Sequence, residues 1–217
     1  NNIDVIRKCK VLSIDRNNKT ILLENQKQLG YEKLIIATGS IVKKLKTNSG
    51  ETGLHYLRTI NDSLKIRQKL KNKNKITIIG AGYIGLEIAS IAIKKNLEVN
   101  VLELENRVMG RVVSPEVSDF FQKKHQSEGV KFKFNTSITD IKDHGKQKKI
   151  ICNDGSVLNT DFVVVGVGIK PNTELAKNSG LSCDNGILVN DYGQTSDPYI
   201  FAVGDCSNHP NNIFKQR

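Results

Sequence analysis

The sequence has no long apolar run and no paired cysteines, and these absences narrow the class of protein. No stretch approaches the about eighteen unbroken apolar residues of a membrane span, and the start NNIDVIRKCK lacks the apolar core of a signal peptide. The cysteines form no CxxC pair and have no ligand-like spacing to a histidine, which excludes a recognisable redox dithiol or zinc site; they are Cys9, Cys152, Cys183 and Cys206. We therefore expect a cytoplasmic protein with reduced thiols, no metal site and no membrane contact.

The charge is one-sided, because 33 Lys and Arg against 22 Asp and Glu give a net charge of +11 at pH 7. The lysine runs KNKNK at 71–75 and KQKK at 146–149 contain no aromatic residue and match no nucleic-acid-binding module. We interpret both runs as solvated connections between ordered elements, and we expect no nucleic acid partner.

The ends of the chain suggest that it is a piece of a longer protein. It starts at Asn1, its only methionine is Met109, and it stops at IFKQR without a convincing end to an element. We expect an internal fragment.

The first part of the chain predicts short strands and one helix. Alternating apolar residues around the polar turn RNNK predict a β-hairpin over 4–24, and KLIIATGS predicts a buried strand closed by Thr-Gly. The polar, glycine-bearing segment 41–53 is interpreted as a domain crossing. NDSLKIRQKL predicts a helix capped by Asn61 or Asp62.

The middle of the chain alternates strand and helix, which is typical of a doubly wound α/β fold. ITIIG, AGYIGLEIASIAIKKN and LEVNVLELE predict a complete βαβ unit, and SPEVSDFFQKKHQSEG predicts a helix with Ser114 as cap, Pro115 in its first turn and Gly129 as its stop. Four strands are then predicted, one or more of them antiparallel: VKFKF, ITDIKD, KIIC and DFVVVGVG. Beyond them, NTELAKNSG predicts a short helix, and GILVND and YIFAVGDC predict strands.

The segment GAGYIG carries a GxGxxG fingerprint between a predicted strand and a predicted helix. Gly80 permits the tight turn, Gly82 lets the backbone approach a pyrophosphate, and Gly85 lets the helix pack close to the strand. Glu103 follows 23 positions after Gly80, where its carboxylate accepts hydrogen bonds from an adenosine ribose and repels a 2′-phosphate. The pattern predicts binding of NADH in preference to NADPH, with Glu105 as the competing acid and an ordinary exposed Glu103 as the alternative.

Six segments together resemble the FAD-dependent ferredoxin and rubredoxin reductases, the putidaredoxin reductase-like group of the pyridine nucleotide-disulfide oxidoreductase superfamily. The segments are GLHYLRTINDS, GAGYIGLE, RVVSPEVSDFF, GVGIKPNTELA, DNGILV and TSDPYIFAVGDC. The resemblance covers essentially the whole chain. It implies a glutathione-reductase-like fold of two dinucleotide-binding domains: 1–42 and 169–217 as parts of an incomplete FAD domain, and 43–168 as a complete NAD domain.

The resemblance also assigns residues to the flavin. Asp205, at the end of the apolar run YIFAVGDC, matches an acid that hydrogen-bonds the ribityl chain of FAD, and Val11 falls where main-chain groups meet the adenine. Thr38 and Gly39 match a turn beside the flavin nucleotide, and Arg58 matches a basic residue that faces FAD. The residues alone would leave these positions as a capping acid, a strand residue, a turn and a surface arginine.

On the nicotinamide side, the resemblance places Tyr83, Glu87 and Gly168 near the nicotinamide pocket. From the pattern alone, Tyr83 is equally explained as a packing aromatic and Glu87 as a solvated helix carboxylate. No side chain is implied as an acid, base or nucleophile.

The function implied for the parent protein is hydride transfer from NADH to FAD, followed by single-electron transfer to a ferredoxin or rubredoxin partner. The chain lacks a second strand-GxGxxG motif before residue 76, where a complete member would carry one. An NADH oxidase or disulfide reductase of the same superfamily remains an alternative, and so does a non-catalytic NAD-binding module. A thioredoxin reductase is disfavoured because its nucleotide domain would carry a CxxC.

Overall fold

The computed structural model describes residues 3–48 and 53–211, which fall into two units. One, here called the split unit, comprises Asn1–Ile41 and Ile169–Arg217; the other, the central unit, comprises Val42–Gly168. Two segments interpreted from the sequence, the chain ends and the domain crossing at 41–53, lie partly outside the described residues. The assignment of FAD to ranges 1–42 and 169–217 and of NAD to 43–168 stays a prediction.

The first segment contains five short strands: β1 (Val11–Asp15), β2 (Thr20–Leu23), β3 (Gln28–Gly30), β4 (Leu34–Ile36) and β5 (Ser40–Val42). Strands β1, β2 and β3 form an antiparallel meander in which Ile14 faces Ile21. The predicted hairpin therefore exists but begins at Val11 rather than at residue 4. Residues 4–10 pair with no strand among the described residues, and a strand needs a partner for its backbone hydrogen bonds.

The central unit alternates strands and helices. Its elements are β6 (Leu54–Tyr56), α1 (Ile60–Asn72), β7 (Lys75–Ile79), α2 (Tyr83–Ile93), β8 (Glu98–Leu102), α3 (Pro115–Ser127), β9 (Lys131–Lys133), β10 (Ile138–His144), β11 (Gln147–Cys152), β12 (Val157–Thr160) and β13 (Phe162–Val165). Five of the strands form a parallel sheet of order β6-β13-β7-β8-β9. The predicted doubly wound sheet is therefore present.

Side chains of the parallel sheet alternate between two cores, because successive residues of a strand point to opposite faces. Ile78 and Val164 belong to a cluster with Leu86 and Ala89 of α2, whereas Ile79 packs with residues of the other face. That other face carries the antiparallel sheet β10-β11-β12, which is the predicted excursion. Helices thus cover one face of the parallel sheet and an antiparallel sheet covers the other.

Helix α1 starts earlier than predicted. Its cap is Thr59, not Asn61 or Asp62: the Thr59 hydroxyl accepts from the Asp62 N–H, and the Asp62 carboxylate accepts from the Thr59 N–H at 2.9 Å. Asp62 is therefore the third helical residue of a capping box, which satisfies two backbone donors at once. Hydrogen bonds from the Thr59 hydroxyl and N–H lower the pKa of Asp62.

The second segment of the split unit contains β14 (Ile169–Pro171), α4 (Glu174–Asn178), β15 (Ile187–Leu188), β16 (Ile200–Ala202) and β17 (Ser207–Asn208). Strand β16 pairs in parallel with β4, β15 pairs in parallel with β17, and β14 pairs with β5. The predicted strand GILVND is reduced to two residues. The predicted strand YIFAVGDC ends at Ala202, and Gly204–Cys206 forms one turn of 3-10 helix.

Candidate functional site

The carboxyl ends of the central parallel strands gather the glycine-rich motif and several other predicted residues. Strand β7 ends before Gly80, β8 ends before Glu103, and β13 ends before the segment that leads to Gly168. The chain runs from β7 outward to β8 and β9, whereas β13 and β6 lie on the other side of β7. The strand order therefore reverses beside β7, and ligands of open α/β sheets bind at such a reversal.

The glycine loop has the conformation that its three glycines permit. Gly80 adopts φ +102°, and a Cβ atom there would lie 2.5 Å from the carbonyl oxygen of Gly166. A Cβ atom on Gly85 would overlap the carbonyl oxygen of Gly80, so the absence of a side chain lets α2 pack against the loop. A Cβ atom on Gly82 would meet open space. Gly80 and Gly85 are thus required by the fold, while Gly82 leaves room at the start of α2.

Glu103 is bound directly to the glycine loop. Its Oε2 accepts a hydrogen bond of 2.5 Å from the Ala81 N–H, and its Oε1 accepts one of 3.0 Å from the Glu105 N–H. Glu103 is half-buried, whereas Glu105 is exposed and beyond the strand. The geometry therefore puts the acid of β8 beside the glycine loop, and of the two candidate acids it favours Glu103.

Tyr83 and Glu87 lie one turn apart on α2 and share its exposed side. Tyr83 is 56% exposed, and Glu87 is also exposed. Neither packs as a core residue. The alternative interpretation of Tyr83 as a packing aromatic is therefore disfavoured, while the role of Glu87 stays a prediction.

Two further predicted residues follow neighbouring strands of the central sheet. Gly168 adopts φ +104°, and its carbonyl oxygen accepts a hydrogen bond of 2.9 Å from the Lys43 N–H. Arg58 follows β6, is exposed, and donates its backbone N–H to Asp62 at 3.2 Å. Both lie at the same carboxyl edge as the glycine loop because β6, β7 and β13 are parallel.

A second carboxyl edge brings together predicted residues of the split unit. Since β4 and β16 are parallel, Thr38 and Gly39 follow one strand where Asp205 follows the other. The buried hydroxyl of Ser40 donates to Asp205 Oδ2 at 2.9 Å. The Thr38 hydroxyl donates to the Asn172 carbonyl oxygen at 2.7 Å, and Gly39 accepts from the Asn172 N–H. Ser40 and Asn172 were missed from the sequence, because their partners lie 165 and 134 positions away.

Val11, another predicted site residue, lies in a different sheet, the antiparallel meander β1-β2-β3. It opens β1, faces Leu23 of β2 and stands beside a register irregularity at Val11–Ser13. Such a bulge leaves backbone groups outside the ladder. A role for its main chain stays a prediction.

Within residues 3–48 and 53–211, no group of His, Cys, Asp and Glu side chains is arranged to hold a metal ion. The same residues contain no helix that is long and apolar enough to cross a bilayer.

A family model for pyridine nucleotide-disulphide oxidoreductases matches residues 1–215. The chain belongs to the pyridine nucleotide-disulphide oxidoreductase family. Among curated members, the chain is 39% identical to putidaredoxin reductase CamA of Pseudomonas putida, over 98% of this chain and 52% of that protein. It is 36% identical to a rubredoxin-NAD(+) reductase of Pseudomonas putida, over 99% of this chain and 56% of that protein.

A solved structure of this oxidoreductase family is also close. The covalent putidaredoxin reductase-putidaredoxin complex aligns with a TM-score of 0.90 and 38% identity, covering 96% of this chain and 52% of that one. The chain thus spans about half the length of the relatives it matches. The family and the α/β fold class that the sequence predicted are both confirmed.

Proposed function

We propose that this chain is part of a FAD-dependent oxidoreductase that takes a hydride from NADH and passes single electrons to a small iron–sulfur or iron protein. The observation that carries this function is the Glu103 carboxylate, which binds the glycine loop at the carboxyl edge of a parallel sheet. The relatives that support it are named as putidaredoxin and rubredoxin-NAD(+) reductases.

The central unit fits the pyrophosphate and ribose of NADH. The open space at Gly82 admits an anion close to the backbone, and the N–H groups at the start of α2 favour negative charge there. The lone pairs that Glu103 retains can accept from a ribose hydroxyl, and its charge repels a 2′-phosphate. This combination favours NADH over NADPH.

The split unit contributes part of a FAD site. Asp205 is exposed at the strand edge, where its carboxylate can accept from a ribityl hydroxyl while Ser40 holds the other side of the group. Gly39, with φ +66°, lets the chain pass close to a ligand without a side chain. When bound, the flavin supplies two-electron acceptance and one-electron release.

On the nicotinamide side, we assign Tyr83 and Glu87 to the pocket wall and Gly168 to the loop that approaches the ring. Their exposure on α2 and after β13 supports contact with a ligand or with further protein. Arg58 and Val11 are assigned to FAD on the motif match alone.

The acceptor is proposed to be a small acidic electron-transfer protein. The net charge of +11 favours fast association with an acidic partner, because complementary charge raises the encounter rate. The four cysteines are free thiols, as is usual in the cytoplasm, where we place the protein.

The experiment is a comparison of electron acceptors with the protein of the full reading frame, loaded with FAD. We expect NADH to reduce the flavin under anaerobic conditions more efficiently than NADPH. We also expect turnover with a [2Fe–2S] ferredoxin or a rubredoxin to exceed turnover with oxygen or a disulfide.

The same comparison separates the alternatives. Faster turnover with oxygen would support an NADH oxidase, and faster turnover with a disulfide would support a disulfide reductase. A protein that binds NADH but takes up no flavin would support the non-catalytic NAD-binding module.

A further inference from the structure

The loop between β8 and α3 contacts the glycine loop through the Glu103 side chain and also through a backbone hydrogen bond. The Met109 N–H donates to the carbonyl oxygen of Ala81 at 2.9 Å. Met109 is 4% exposed and adopts φ +49°, a left-handed conformation that is uncommon for a residue other than glycine. The contact therefore depends on the left-handed conformation of Met109, which other contacts of the loop must stabilise.

This bond fixes the orientation of the peptide between Ala81 and Gly82. A trans peptide is planar, so its N–H points opposite to its carbonyl. With the Ala81 carbonyl directed at Met109, the Gly82 N–H is directed away from Met109. The preceding N–H, that of Ala81, is already donated to Glu103. The hydrogen bond from Met109 to the Ala81 carbonyl therefore sets the direction in which the Gly82 N–H points.

Arg107 holds the loop in this shape. Its Nη2 donates to the carbonyl oxygens of Gly110 at 2.7 Å and Val113 at 3.1 Å. Its Nη1 donates to Val113 at 3.1 Å and Ser114 at 3.3 Å. Only a guanidinium presents several N–H donors in a rigid plane and stays charged at every working pH.

Arg107 binds residues that follow Met109 in the chain. The Met109 carbonyl oxygen accepts from the N–H groups of Val112 and Val113, and the latter residue is bound by Arg107. On the amino-terminal side, the buried hydroxyl of Ser118 donates to the Val108 carbonyl oxygen at 2.6 Å. Arg107 and Ser118 therefore stabilise the turn at Met109 through hydrogen bonds to residues on either side of it.

We propose that Arg107 is a positioning residue for dinucleotide binding, because it holds the Met109 turn that orients the Gly82 amide. The inference rests on the proposed NADH site, and it adds a residue that makes no contact with the ligand itself. Loss of the guanidinium frees the turn, the Ala81–Gly82 peptide can rotate, and the amide at the phosphate position is no longer preorganised.

The test compares three variants of the full 217-residue chain. Arg107→Ala removes all the contacts, Arg107→Lys keeps a charge but cannot reach three carbonyls together, and Arg111→Ala removes an exposed arginine of the same loop as a matched control. NADH affinity is measured by titration, and the Gly82 amide is followed by ¹H–¹⁵N correlation spectra. Thermal unfolding gives the midpoint of each variant, so that binding is measured well below it.

We expect Arg107→Ala to weaken NADH about tenfold and to shift the Gly82 amide signal. Arg107→Lys should fall between that variant and the wild type, and Arg111→Ala should stay within about twofold of the wild type. If Arg107 only stabilises the start of α3, Arg107→Ala will lower the midpoint but keep NADH affinity within about twofold, which overturns the inference.

Two other outcomes are also decisive. If Arg107→Ala does not fold, Arg107→Lys carries the test, and unchanged affinity and an unshifted Gly82 signal in that variant overturn the inference. If the wild-type chain binds no NADH, the proposed nucleotide site itself fails. That failure is visible before any substitution is made, so the two are distinguishable.

Discussion

Carboxylates at strand ends bind backbone or side-chain donors in both units. Glu103 accepts from Ala81 and Glu105, and Asp205 accepts from Ser40. The positions of Glu103 and Asp205 could be predicted from sequence, because an acid directly after an apolar strand is a local signal. Their partners Ala81 and Ser40 could not, since these lie 22 and 165 positions away along the chain. Arg107 was missed for a different reason: its partners are backbone carbonyl oxygens three to seven positions away, and no sequence motif marks such contacts.

Asp197 gives a residue-scale prediction about pH. Its Oδ2 accepts from Arg16 Nε at 2.8 Å and its Oδ1 accepts from the Tyr199 N–H at 2.9 Å. The Arg16 hydrogen bond is the main cause that lowers the pKa of the Asp197 carboxyl. A group whose pKa is lower when folded stabilises the protein above its unfolded pKa, and this stability is lost as pH falls through the folded value.

We therefore expect Asp197→Asn to lower the thermal midpoint by a few degrees at pH 7, and the difference from the wild type to shrink as pH falls from about 5 towards 3. Thermal unfolding across this pH range measures both curves. Asp184→Asn, an exposed position in the same unit, is the control. Curves for Asp197→Asn and the wild type that stay parallel down to pH 3 would contradict the assignment.

At the scale of the element, local patterns predicted long elements better than short ones. Strand β7 and helix α2 were predicted because β-branched residues and the glycine fingerprint are strong local signals. Strands such as β6 and β14 were missed, because three residues carry little pattern and depend on distant partners. The start of α1 was misplaced by two or three residues, because Asp62 serves as the third residue of a capping box as well as a candidate cap.

Two fully buried threonines of the central unit lie in contrasting environments: one is in the parallel sheet, and the other is at the end of β12 in the antiparallel sheet. Thr77 of β7 is fully buried, and its hydroxyl has no hydrogen-bond partner among the described residues. Thr160 is equally buried, but its hydroxyl lies 3.3 Å from the Lys75 carbonyl oxygen and 3.2 Å from that of Phe162. A buried hydroxyl without a partner destabilises, whereas a bonded one contributes.

We expect Thr77→Val to raise the free energy of unfolding by about 1 kcal/mol and Thr160→Val to lower it by about the same amount. Because the same substitution is made at two fully buried positions, the lost hydroxyl and gained methyl are matched. Denaturant unfolding followed by circular dichroism measures both. A Thr77→Val variant that is destabilised as much as Thr160→Val would show that the Thr77 hydroxyl is satisfied in solution.

At the scale of the whole molecule, the order of six motifs along the chain predicted the family, and the match over residues 1–215 confirms it. The two units differ in what they contribute. The central unit contains the glycine loop, its acid and the strand-order reversal within one continuous range, whereas the split unit contributes one strand edge around Asp205. We therefore expect this chain itself to bind NADH, through the central unit.

The most direct test is a calorimetric titration of the 217-residue chain with NADH, repeated with Gly82→Val. Gly82 has φ −79° and open space where a Cβ would lie, so the valine should leave the fold intact while filling the place of the pyrophosphate. Gly30→Val, at an exposed strand end with no close contact, is the matched control. We expect about one NADH per chain for the wild type and Gly30→Val, and at least about tenfold weaker binding for folded Gly82→Val. Equal affinity in all three proteins, or no binding by any, would contradict the assignment of the glycine loop as the NADH site.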